Sequence, residues 1–89
     1  MANITHGNNP EQMAQLSQQL NKGEQDINSL VKTLTSQLNQ TAWEGPDAKN
    51  FRSDWEGHRS SLTQIANKLS EVSKIVMKNK QQQEQTSGA

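Results

Sequence analysis

Eighty-nine residues, with nine Lys and Arg against nine Asp and Glu and no cysteine, describe one small, electrically neutral unit. Hydrophobic residues make up only 29% of it, below what a domain normally needs for its own core, and neither a disulfide nor a Cys-based zinc site can staple it. The neutral balance argues against nucleic acid, whose grip rests on Lys and Arg neutralising phosphates, and no apolar run approaches the roughly 20 residues of a membrane span or the h-region of a signal peptide.

Residues 1–9 are polar and aperiodic and are expected to form a flexible arm. Asn9-Pro10-Glu11-Gln12 then has the make-up of a helix start, with Asn9 as N-cap, Pro10 at N1 and Gln12 at N3. Apolar residues follow at Met13, Leu16, Leu20, Ile27, Leu30, Leu34 and Leu38, with Val31 beside them. Their steps of three and four predict a heptad helix over about 10–42. The one missing member of the series is Gly23. A glycine there weakens the helix, so it marks either the close approach of a partner side chain or tolerated drift.

Gly45-Pro46 breaks the pattern and places a turn at about 43–46. A second helix is predicted over about 47–80, opened by Asp47. Its seam reads Ala48, Phe51, Trp55, His58, Leu62, Ile65, Leu69, Val72 and Val76, alternating three and four without exception, with Ala66 and Ile75 at its flanks. Random polar sequence rarely holds such a register for nine positions, so an ordered chain is expected between about 10 and 78. Residues 81–89, beginning Gln81-Gln82-Gln83, are expected to form a flexible polar tail. No strand alternation occurs.

Two helices of about 30 residues, each about 45 Å long, joined by a short link must run antiparallel. The fold class is therefore all-α, a helix-turn-helix hairpin. A lone hairpin leaves one side of its seam in water. A second hairpin would cover it, so the chain is expected to dimerise into a four-helix bundle.

Trp43-Glu44-Gly45 sits at the single break between the two helices. Centred this way in a chain of this length, with Ala48, Phe51 and Trp55 downstream, it resembles the Trp-x-Gly (WXG) family of early-secreted-antigen type. The turn motif is then Trp43, Gly45 and Pro46. Gly45 suits a left-handed conformation just past the first helix, Pro46 stops one helix and opens the next, and Trp43 can fold over Ala48 and Phe51. The second copy, Trp55-Glu56-Gly57, lies within the uninterrupted seam, so Gly57 is read as helical.

The resemblance implies a protein of a type VII (ESX-like) secretion system, exported without a cleaved signal peptide. It would act by binding, as a dimeric effector, chaperone or targeting partner. Implied partners are a second copy, another WXG-type chain or a larger type VII substrate, and the secretion ATPase. Family members that carry an export signal end in Tyr, three residues and an acidic residue. This chain has no Tyr. Lys80 and Glu84 hold the same spacing as a degenerate version, which fits a chain that travels with a signal-bearing partner. The competing reading is a structural coiled-coil or adaptor protein with no export role.

Candidate chemistry is thin. Asp54 and His58 stand at i, i+4 with Ser60 and Ser61 nearby. Consecutive turns of one helix supply neither an oxyanion hole nor enough metal ligands, so neither an enzyme nor a cofactor is expected. His58 is read instead as a polar seam residue that sets register or pairing, or makes an interface pH-sensitive. Lys68, Lys74, Lys78 and Lys80 read as a solvated basic end of the second helix.

Overall fold

A computed structural model describes the backbone of residues 7–88 and the side chains of residues 7–83. The expected arm, apart from its last three residues, and Ala89 lie outside the described residues. The described residues form two helices, α1 (Pro10–Gln40) and α2 (Pro46–Gly88). They pack as an extended hairpin of 65 × 22 × 16 Å.

α1 starts where its capping residues place it. The Asn9 side chain accepts the Gln12 amide at 3.0 Å, and the Met13 amide donates to the Asn9 carbonyl at 2.9 Å. Pro10, with no amide proton to leave orphaned, takes the first position. α1 ends at Gln40, two residues before the expected boundary. Thr41 is extended there, and its hydroxyl bonds back to the Gln37 carbonyl at 2.6 Å.

The connection is therefore 41–45, and the role of Gly45 changes. It lies four residues beyond Thr41, so it does not cap α1. Its φ of 109° instead leads the chain into α2, whose Lys49 amide bonds to the Gly45 carbonyl at 3.1 Å.

α2 departs most from expectation at its far end. The tail expected to be flexible from residue 81 continues the helix through Gly88. Gln and Glu dominate this stretch and are good helix formers, and no Gly or Pro interrupts α2 between Gly57 and Gly88.

The pairing register is set by three contacts. Ser17 faces Ser73, Gly23 faces Leu69, and Thr35 faces Trp55. In this register Pro10 lies opposite Lys80. The last eight residues of α2, about 12 Å of helix, therefore reach past the start of α1.

The core is narrow. Among the described residues, Ala48, Trp55 and Ala66 are the buried apolar ones, and Ser17 and Ser73 the buried polar ones. The two hydroxyls stand 2.7 Å apart, and each has the opposite backbone carbonyl within reach, at 3.1 and 3.4 Å. Small side chains let the helices approach at the open end. At the turn end Trp55 fills the gap, and its indole nitrogen donates to the Thr35 hydroxyl at 2.9 Å. Ala66, expected at the flank of the seam, is 0% exposed and lies at its centre.

Two substitutions test the hairpin's backbone. Gly45→Val places a β-branched residue at positive φ and should destabilise the fold by about 1–3 kcal/mol. Gly57→Ala adds a methyl into open space on a helix and should be neutral or stabilise by up to about 1 kcal/mol. Thermal melts would show these opposite signs; the reverse order would misplace the turn.

The serine pair makes a second test. Ser73→Ala alone leaves the buried Ser17 hydroxyl without its closest partner and should cost about 1–2 kcal/mol. Removing both hydroxyls should cost clearly less than the two single losses added together, in a double-mutant cycle read by chemical denaturation.

Candidate functional site

The heptad seam expected from the sequence divides into two columns on each helix. The inner column faces the other helix. On α1 it holds Met13, Ser17, Leu20, Ile27, Val31 and Leu38; on α2, Ala48, Arg52, Trp55, Arg59, Leu62, Ala66, Leu69, Ser73 and Val76, all buried or half-buried. Arg52, Arg59, Ser17 and Ser73 hold inner positions that hydropathy alone does not reveal. Their spacing does: each lies three or four residues from its apolar neighbours.

The outer column lies three residues after the inner one. On α1, Leu16 follows Met13, Gly23 follows Leu20, Leu30 follows Ile27 and Leu34 follows Val31. On α2, Phe51 follows Ala48, His58 follows Trp55, Ile65 follows Leu62 and Val72 follows Leu69. Three residues turn a helix through about 300°, so each column is displaced by the same angle in the same sense. An antiparallel pair is related by a two-fold axis perpendicular to both helices. Equal offsets therefore emerge on the same side of the hairpin. Gly23 supports this placement: a Cβ there would sit 3.1 Å from Leu69 Cδ1, whose side chain fills the dip. The close approach that Gly23 permits thus comes from within the hairpin.

This shared face is apolar and uncovered. Leu16, Leu30, Leu34, Phe51 and Ile65 are 38–50% exposed. His58 is also exposed there, between Phe51 and Ile65, while Val72 is half-buried. The opposite side is polar, carrying Lys32, Ser36, Asn39 and the Arg59–Glu56 ion pair at 2.9 Å. Ile75, expected to flank the seam, is exposed and off both columns.

At the turn, Trp43 extends the apolar face around the hairpin tip. Its ring lies 6.2 Å from Phe51, which in turn stacks 6.4 Å from Trp55. Trp43 remains 40% exposed and borders a shallow recess shared with Gly45, Pro46, Ala48 and Lys49. Arg52 fastens this corner. Its guanidinium donates to the carbonyls of Trp43 at 2.7 Å, Thr41 at 3.0 Å and Leu38 at 3.1 Å, and lies 5.8 Å from the Trp43 ring centre.

Elsewhere the chemistry is plain. Asp54, His58, Ser60 and Ser61 are exposed on one helix. Among the described residues no group of three or more His, Cys, Asp or Glu is placed to hold a metal, and no helix is long and apolar enough to cross a membrane. Lys80 and Glu84 stand one turn apart on α2, Lys80 opposite the start of α1 and Glu84 on the part that reaches past it.

The family model described as "WXG100: Proteins of 100 residues with WXG" matches residues 8–87, which is nearly the whole chain and contains α1, the turn and all but the last residue of α2. No curated protein and no solved structure matches.

Gly23 also makes a prediction. Gly23→Ala gains helix propensity but crowds Leu69, so its effect should be close to zero. In a Leu69→Ala background the crowding is gone, and the same change should stabilise by about 1 kcal/mol. Equal effects in both backgrounds would mean that the two residues do not meet.

Proposed function

We propose that this chain, which belongs to the WXG100 family, is a small secreted protein of a type VII (ESX-like) system that acts by binding. Membership supports the helical, secretion-linked reading. The observation that carries the binding role is the apolar face formed by Leu16, Leu30, Leu34, Phe51 and Ile65 on a chain with so little core of its own. Scattered exposed Leu residues mean little; a column repeated on both helices of one face, broken only at Gly23 and His58, means a partner.

The partner is a second helical hairpin. Among the described residues one face is apolar, so association closes after two hairpins and gives a four-helix bundle, not an open chain. The second hairpin is another copy or another WXG-type chain, including the helical end of a larger substrate. The protein leaves the cytoplasm folded in that bundle, without a cleaved signal peptide, as effector, chaperone or targeting partner. The secretion ATPase recognises the exported pair. No catalytic step is assigned to the chain.

Lys80 and Glu84 share one helical face at the spacing of the export signal, but Lys is a hydrated cation and does not replace a buried aromatic ring. The partner therefore supplies the signal. The structural-adaptor reading lacks a specific observation in its favour.

Sedimentation equilibrium at micromolar concentration should give about twice the 9.9 kDa chain mass, or a partly unfolded chain that folds when its partner is added. A stably folded monomer would contradict the assignment. Leu30→Glu together with Ile65→Glu should shift the assembly to monomer by setting charges into its centre. Removal of residues 81–89 should leave secretion nearly intact while the partner is present; abolished export with the assembly still formed would make Lys80 to Glu84 a working signal.

A further inference from the structure

We infer that Arg52 is a positioning residue for the Trp43-x-Gly45 turn: its guanidinium closes the end of α1 and holds the Trp43 indole in place before any partner arrives. The inference concerns the isolated fold and stands whether or not the chain is exported.

The argument starts from α1. A helix end leaves carbonyls without internal partners, and a glycine just past the last turn normally lets the chain curl back to meet them. This chain has no glycine there. Thr41 is extended, and the only glycine of the connection, Gly45, serves the entry to α2. The Thr41 hydroxyl meets one carbonyl, that of Gln37. Arg52, one and a half turns into α2, reaches across and meets that of Leu38, then those of Thr41 and Trp43 in the connection itself.

A planar fork with several N–H groups suits three diverging carbonyls; an ammonium on a flexible stem does not span them in one geometry. The charge also opposes the partial negative charge at the α1 C-terminus, where no basic residue lies in the last turn. Glu56 stands at i+4 from Arg52 and is the obvious ion-pair partner in the sequence, yet it pairs with Arg59. The Arg52 guanidinium is thereby left to the backbone and to the Trp43 ring, 5.8 Å away. Phe51, next to it in sequence, supports the indole from another side at 6.2 Å. Trp43 is thus held between a cation and a ring, with 40% of its surface still offered to solvent.

The functional consequence is preorganisation. An exposed Trp that must be ordered on binding loses rotamer freedom at that moment; one already fastened does not. The Trp-x-Gly motif therefore includes a third member nine residues after the Trp.

The test uses the full chain in a Trp55→Phe background, so that emission comes from Trp43 alone. Acrylamide quenching of Trp43 should rise about twofold in Arg52→Ala, because the corner then opens locally. Arg52→Lys should quench as readily as Arg52→Ala, while far-UV circular dichroism keeps its helical signal in both. Unchanged quenching, or full restoration by Lys, would overturn the inference, since a cation near a helix end would then suffice. A measurement on the unaltered chain guards against variants that fail to fold. The Arg52 guanidinium protons should exchange with water at least about tenfold more slowly than those of Arg59, which is held by a single exposed ion pair. Equal exchange rates for the two arginines would also overturn it.

Discussion

Two helices can cover each other along one line only. Everything in this hairpin follows from how its few apolar residues are divided between that line and the surface beside it. The most enclosed positions of that line are held by small and bifunctional residues, Ser17 on Ser73, Ala48, Ala66, and Trp55 held by Thr35, with half-buried residues such as Leu20, Ile27, Leu62 and Leu69 between them. Leu16, Leu30, Leu34, Phe51 and Ile65 stand one column over, exposed. Here the tight inner line sets the pairing and register, and the outer column is kept for something else. The buried serine pair is suited to the first task, because its two hydroxyls satisfy each other in only one register of the helices.

The heptad was legible because three–four alternation has one physical cause, a helix face that meets another helix. The two-column division was not, because hydropathy marks Phe51 and Leu62 alike. It became visible once inner positions held by Ser17, Arg52, Arg59 and Ser73 were included, all of which a hydropathy reading skips. Gly23 illustrates the same limit. Its gap in the apolar series left close approach and drift equally open, and the group that lies near it is Leu69 of the same chain. The end of α2 was placed too early because a Gln-rich stretch looks like a tail. Without a breaker before Gly88, it also has no reason to stop being helical.

The turn shows how one motif serves two mechanical needs. Gly45 supplies the positive φ that admits Pro46 and α2. The end of α1 is closed instead by Thr41 and by Arg52 from the opposite helix. Closing one helix with a side chain of the other ties the tip to the pairing register. The aromatic run Trp43–Phe51–Trp55 then carries the apolar outer face around the tip into the core. The exposed apolar face and the interior are thus continuous at the turn. That continuity is a physical reason for a tryptophan and a glycine to stand at this point of a protein of the WXG100 family.

The central claim is that the outer column is a docking face. Methyl-resolved NMR with a soluble paramagnetic probe tests it directly, because Ile75 is an exposed apolar side chain off that face and serves as an internal reference. In the assembled protein the methyls of Leu16, Leu30, Leu34 and Ile65 should be shielded from the probe as well as those of Leu62 and Leu69, while Ile75 stays accessible. If the four outer residues broaden as strongly as Ile75, the face is bare in the native state and the account is wrong.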